Sequence, residues 1–377
     1  MKRGGKNLLM AHNFVNSFEW SLVGPFLPLF FYEIAHNSFF LLNLVNSLPS
    51  IVAVVMGLVW ARISDAVGRR KPFVILSGLT GIATTFALAH VNNVYQLLMV
   101  RLAGVFTGSA GGAAFSALLA KTFKEKRGRY VGIYNALGLV GGIMGNVLSA
   151  YLYERLGMRG LLEVLAVGQA VPLAMVLAIE EEPEERKPLE LSNILAKPKF
   201  PREFWRVYAV RSVLVLPGLF GGSVLAVYFV KYLGGSEQLW ALVTAVCTLL
   251  GLSSIPYGEL ADRLGARKMF TLAGLGWAVL YAGYYLSNDP LTFAAFFIVP
   301  IWPAFHVTYQ KVLMDLSDKS ERASLFASER LVSTVYGLAV GLIAGYLADA
   351  LSPRTLLAIS SLLALCGAIV SYSLLKK

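Results

Sequence analysis

A group of ionisable side chains interrupts stretches of sequence that are otherwise apolar: Glu19, Arg101, Arg211, His306, Glu329 and Arg330. Placing a charged group at the centre of a bilayer costs about 2.5–3.5 kcal/mol on insertion scales, so each is a functional candidate by default. Glu19 stands near the middle of an apolar run covering 8–32. At about 1.5 Å of helix rise per residue, Arg101 stands roughly 10 Å in from one end of its own run. These depths are close enough for pairing. A carboxylate that alternates between an arginine-paired and a dry environment binds and releases a proton as it moves. On this reading Glu19 titrates and Arg101 tunes it; the structural alternative is a static Glu19–Arg101 bridge between two helices.

A second group lies at another depth. Arg211, His306, Glu329 and Arg330 each sit roughly 10 Å from the ends of their runs by the same rise per residue. Glu329 and Arg330 are adjacent, point about 100° apart on a helix and cannot share one partner. A structural account pairs Glu329 with Arg211. A functional account puts Arg211 or Arg330 at a cavity as a ligand for an anionic group. His306 has the intrinsic pKa of a proton relay, and equally suits a hydrogen-bonded packing role. Aromatics recur at helical spacing in Phe14 and Phe18 and in Trp302, Phe305 and Tyr309. They could line an apolar cavity or simply fill a core. Asn13, Asn16, Asn135, Asn146 and Gln310 could orient a bound molecule.

The elements that must position these groups follow from composition. The chain has 377 residues, of which 56% are hydrophobic and 15% charged. Water-soluble domains carry about 25% charged residues, so a disordered chain is excluded and a soluble enzyme is disfavoured. Twelve apolar runs are long enough to cross about 30 Å of hydrocarbon as helices. They cover 8–32, 39–61, 72–90, 94–118, 130–153, 159–179, 204–230, 237–258, 268–287, 291–314, 323–348 and 353–375. Helices satisfy their own backbone hydrogen bonds in lipid, and the alternating ten-residue segments of a barrel are absent. The first run resembles a signal peptide only in Lys2, Arg3 and Lys6. It is too long, holds Glu19 and two prolines, lacks a small-residue cleavage site, and reads as a retained helix.

With the N-terminus placed in the cytoplasm, 26 of the 33 Lys and Arg residues fall in cytoplasmic segments. Only Arg155, Arg159, Lys231 and Arg354 fall in outer loops. This positive-inside asymmetry predicts both termini in the cytoplasm and an even number of spans in the plasma membrane. It also accounts for the net charge of +11. Charge spread over seven short segments suits an anionic lipid bilayer and argues against a nucleic-acid footprint. The two cysteines, Cys247 and Cys366, make no disulfide framework or zinc site. No Walker-type glycine loop occurs, and the four histidines form no metal-ligand set. No cofactor, metal or enzymatic activity is therefore expected.

The most polar stretch, 181–203, has a linker composition and divides the chain into a bundle over 1–180 and another over 204–377. The halves match at an offset of about 195–197 residues. Asp65 and Gly68 match Asp262 and Gly265; Tyr151, Leu156 and Arg159 match Tyr346, Leu351 and Arg354. Residues 258–268 read Gly258-Glu259-Leu260-Ala261-Asp262-Arg263-Leu264-Gly265-Ala266-Arg267-Lys268. The copy at 61–71 keeps Asp65, Gly68, Arg69, Arg70 and Lys71 but has Ala61 and Ala66 in place of glycine and arginine. This pair of loops resembles the cytoplasmic motif of the major facilitator superfamily. Gly132, Gly141 and Gly145 have the glycine spacing of the antiporter motif in its drug-exporter branch, without that motif's proline and last glycine. Arg101-Leu102-Ala103-Gly104 is similar to an element associated there with proton coupling.

The resemblance implies an all-α polytopic fold of twelve transmembrane helices in two six-helix bundles. Spans 1, 4, 7 and 10 would line a central cavity, and one half would rock against the other. The implied activity is transport of a small molecule by alternating access. Proton-coupled export of apolar or amphipathic compounds comes first, and uptake of a sugar or organic anion comes second. The two loop copies would latch helices in one state and release them in the other. One chain contains both halves, so a monomer suffices.

Overall fold

The computed structural model describes residues 4–123, 127–181, 200, 202–316 and 322–375. Most of the predicted linker, together with Lys2, Arg3, Lys124, Lys126, Lys319, Lys376 and Lys377, lies outside the described residues. The described chain is all-α. In order its helices are α1 (Gly4–Val23), α2 (Leu27–Ile34), α3 (Phe39–Val67), α4 (Lys71–Ala89), α5 (Val94–Gly108), α6 (Ala110–Thr122), α7 (Arg127–Gly168) and α8 (Ala170–Leu177). They continue as α9 (Arg202–Phe220), α10 (Leu225–Val227), a π-helical turn (Tyr228–Tyr232), α11 (Glu237–Leu250), α12 (Ser254–Leu286), α13 (Pro290–Phe297), α14 (Trp302–Asp315), α15 (Arg322–Ala350) and α16 (Pro353–Leu374).

Among the described residues, nine helical stretches are long and apolar enough to cross a membrane. Eleven of the twelve sequence runs fall on these nine; the first run, which forms α1 and α2, does not. Two of the nine are double-length, at 129–177 and 237–286. The first turns at Gly157 (φ 63°) and the second at Gly265 (φ 75°). A side chain in this left-handed region costs about 1–2 kcal/mol, which is why glycine stands at both turns. The first run is split between α1 and α2 around Gly24 and Pro25.

Two compact units divide the chain. The first holds residues 1–36, 45–196 and 237–245; the second holds 37–44, 197–236 and 246–377. The unit boundaries therefore depart from the sequence halves in two places. The start of α3 belongs with the second unit and the start of α11 with the first.

Hydrogen bonds explain both exchanges. In the second unit, Asp349 near the end of α15 accepts from Ser38 Oγ at 2.7 Å, Phe39 N at 2.7 Å and Phe40 N at 3.0 Å. A carboxylate placed there meets the unpaired N–H groups at the start of α3. In the first unit, Glu154 in α7 accepts from Gln238 Nε2 at the start of α11, at 2.6 Å. Glu154 and Asp349 hold equivalent positions in the repeat. So do Arg159 and Arg354. Arg159 donates to Ala89 O, Val91 O and Asn92 Oδ1 at 2.9–3.0 Å, closing the end of α4. Arg354 donates to Tyr285 O at 3.1 Å and Asn288 Oδ1 at 3.0 Å, closing the end of α12. The matched residues of the repeat thus do matched work.

Two substitutions test this account through thermal unfolding of the detergent-solubilised protein. Gly265→Ala is expected to cost about 1–2 kcal/mol, because alanine must occupy a left-handed backbone. Asp349→Ala is expected to cost about 0.5–2 kcal/mol, the range for losing a helix cap. Gly112→Ala, at a helical position with open space around it, is expected to unfold no earlier than the parent.

Candidate functional site

A cavity of substrate size lies in each unit. The second unit encloses about 590 Å³ between α9, α12, α14 and α15. The lining residues form helical stripes. Trp302, Phe305, His306, Tyr309, Gln310 and Leu313 of α14 fall on one face at spacings of three and four. Arg211 comes from α9, Trp277 and Tyr281 from α12, and Glu329, Ser333 and Tyr336 from α15. α14 takes this position because the chain breaks at 298–301 and restarts with Pro303 near its first turn.

Glu329 is the polar centre of this cavity. Its Oε1 accepts from Ser333 Oγ at 2.5 Å and Tyr309 Oη at 3.0 Å. Arg211 Nε lies 3.2 Å from the same oxygen. That contact is an ion pair without hydrogen-bond alignment, because neither Nε nor Nη1 of Arg211 completes a hydrogen bond. The guanidinium also faces the rings of Tyr208 and Tyr309, each 5.5 Å from its carbon. His306 stacks on Trp302 and Phe305 with centroids 5.7 and 5.5 Å away. The sequence-predicted Arg211, Trp302, Phe305, His306, Tyr309 and Glu329 are therefore brought together. Arg330 is not. It is exposed, because the 100° step from Glu329 turns it off the cavity.

The first unit encloses about 560 Å³, lined by His12, Asn16 and Trp20 of α1, small residues of α4, α5 and α6, Arg101, and Gln169 between α7 and α8. Glu19 is 5% exposed, and its Oε2 has no hydrogen-bond partner. Its carboxylate lies over Gly168, where a Cβ would come within 3.0 Å of Oε1. The adjacent Gln169 is also buried, with an unpartnered Oε1. Glu19 and Arg101 are not paired. Arg101 donates Nε to Val45 O at 3.0 Å and lies over the Phe31 ring at 4.8 Å. The depths matched, but the facing helices differ: α1 turns Glu19 toward the α7–α8 junction. Asn13 is likewise absent from the cavity lining. Its amide donates to Tyr134 O of α7 at 2.7 Å, on the face where Gly141 and Gly145 meet the Phe14 and Phe18 carbonyls. Asn16 does line the cavity.

The two loop copies are built differently. In the first, Gly68 ends α3 with φ 69°, Asp65 pairs with Arg70, and Arg70 Nη1 donates to Ser64 Oγ at 2.7 Å. Arg69 is exposed. In the second, Asp262 pairs with Lys311 of α14, Arg267 lies 4.0 Å over the Tyr372 ring, Arg263 is exposed, and Gly258 approaches Val307. Sequence reasoning missed Glu181. It reads as linker, yet it accepts from Arg70 N at 2.6 Å and Lys71 N at 2.8 Å at the start of α4. Lys71 in turn donates to Leu177 O at 2.7 Å and Ile179 O at 2.8 Å, at the end of α8. An acid run one residue past a span end was the available signal.

The family model for the Major Facilitator Superfamily matches residues 9–233 and 219–377. The chain belongs to the Major Facilitator Superfamily. It is a multi-pass membrane transporter of small molecules and not an enzyme. It is 28% identical over 294 residues to the multi-drug resistance efflux pump PmrA of Streptococcus pneumoniae serotype 4, covering 74% of this chain and 72% of that protein. It is 25% identical over 271 residues to the multidrug resistance protein MdtG of Dickeya zeae, covering 68% of this chain and 65% of that protein. Among solved structures, the nucleoside transporter NupG superposes with a TM-score of 0.76 at 14% identity, covering 99% of each chain. That likeness is one of fold.

The slot for Glu19 makes a specific prediction. Gly168→Val is expected to displace the carboxylate, and Gly132→Val, where nothing lies within 4 Å, is not. The readout is covalent labelling of Glu19 by a hydrophobic carbodiimide, followed by mass spectrometry. Labelling should change at least about threefold in the first variant only. Equal labelling in both variants would remove Gly168 from the account.

Proposed function

We propose that this transporter exports apolar and amphipathic compounds in exchange for protons, by alternating access, across a plasma membrane with both termini in the cytoplasm. The observation that carries the reading is Glu19: a carboxylate 5% exposed within the first span, with one oxygen unpartnered. A buried charge with unmet hydrogen-bonding capacity is expensive and is retained where it works. Glu19 is the group that takes and gives the proton. Arg101 lines the first cavity without pairing with Glu19. The similarity to the multi-drug resistance efflux pump PmrA supports export. The charge distribution supports the orientation.

A second reading is uptake of a small nutrient. The specific observation in its favour is the Arg211 guanidinium in the second cavity, a group suited to an organic anion. The two loop copies are latches on either reading. Asp65 with Arg70 and Asp262 with Lys311 would exchange partners during the cycle.

The test is reconstitution in proteoliposomes with an internal pH dye and a lipophilic fluorescent probe, under an imposed pH gradient. Proton flux opposite in direction to the probe is expected. Glu19→Gln should abolish it while the protein still elutes as a folded species. Full proton-driven movement in Glu19→Gln would sink the coupling role. Flux of proton and solute in one direction would replace export by uptake.

A further inference from the structure

The second cavity holds one cation with donors to spare and one anion already supplied. Arg211 lines it with 15% of its side chain exposed, and two of its buried nitrogens complete no hydrogen bond. A guanidinium presents five N–H donors in a fixed fork and matches a carboxylate or phosphate in two parallel bonds. Glu329 differs. Its Oε1 receives two hydroxyl donors, Tyr309 from α14 and Ser333 from α15. Those neutral donors hold the Glu329 carboxylate in place whether or not Arg211 stays beside it. Arg211 is in turn fixed by the Tyr208 and Tyr309 rings, a contact worth more when desolvated.

We propose that this cavity binds the acidic group of an amphipathic organic acid, with Arg211 as its ligand and Glu329 as the internal counter-ion that the acid displaces. Trp277, Trp302 and Phe305 take the apolar body, in a volume of about 590 Å³ that lies within the usual range for drug-sized ligands. Among the described lining residues the only permanent charges are Arg211 and Glu329. An incoming cation finds the carboxylate occupied and the guanidinium repelling it, and repulsion of the wrong charge supplies selectivity. This rests on reading the cavity as part of the transport path. It does not depend on Glu19 or on the direction of transport.

The experiment is equilibrium dialysis of the full-length protein in detergent, with no gradient, against three probes of one shape: 2-naphthoate, 2-naphthamide and 2-naphthylmethylamine. Hydrogen bonds to a charged group predict that the acid binds about tenfold or more tighter than the amide, with the amine weakest. Arg211→Gln should erase the preference for the acid over the amide. Glu329→Gln should tighten the acid by removing its competitor. Equal binding of acid and amide, tighter binding of the amine, or no binding of any probe overturns the proposal. So does a preference for the acid that survives in Arg211→Gln. Should that variant fail to fold, the wild-type ranking and Glu329→Gln still decide. Loss of proton coupling in Glu19→Gln with this ranking intact would separate the two readings.

Discussion

The hydrocarbon interior of a bilayer supplies no hydrogen bonds, and every polar group placed there must find its partners inside the protein. The backbone obeys this by being helical throughout the described spans. Its exceptions fall where a cavity or a neighbour can take over. The break between α5 and α6 is at Ser109 and that between α7 and α8 at Gln169, and both residues line the first cavity. The break before α14 delivers Trp302 to the second. At these three breaks irregular backbone stands beside ligand-sized space.

The same constraint explains the small residues. Without a hydrophobic force between helices in lipid, close approach of backbones must supply the packing. Gly141 and Gly145 of α7 lie so near the Phe14 and Phe18 carbonyls of α1 that no Cβ fits. α1 carries Glu19, and the Gly168 and Gln169 that receive it follow in the same helical stretch as those glycines. The glycine spacing read from sequence as an antiporter signature thus has a direct mechanical role: it fixes the helix that holds the buried acid. In the second unit Gly345 meets the backbone of Phe39 and Phe40.

Much of this was legible before any coordinates. Hydropathy set the helical runs, and the paired loops carried the family. What sequence could not give was facing. Depth along a helix is countable at a fixed rise, so Glu19 and Arg101 were matched in depth. Rotation about each axis is set by neighbouring helices, which put Glu19 against Gly168 and Arg101 against Val45 O, so their pairing was not countable. Within unbroken α14 and α15 the 100° rule sufficed, and it separated Glu329 from Arg330. Glu181 was hidden for another reason. An acidic residue in a polar stretch looks solvated until a helix start is known to stand against it.

The repeat divides its work between positions that were kept and positions that diverged. At the loop ends the halves agree: Arg159 and Arg354 close a helix end each, and Glu154 and Asp349 each take donors from a helix start. Those jobs follow from chain topology, which duplication preserves. In their buried polar groups the halves part. The first unit carries a lone buried carboxylate beside unpartnered groups. The second carries an arginine–glutamate pair among aromatic rings. A fold built from two equal bundles needs symmetry only where helices are joined and capped. Once that frame is stable, each unit is free to specialise. One side keeps a buried acid with an unpartnered oxygen, costly in stability; the other keeps an arginine–glutamate pair between α9 and α15.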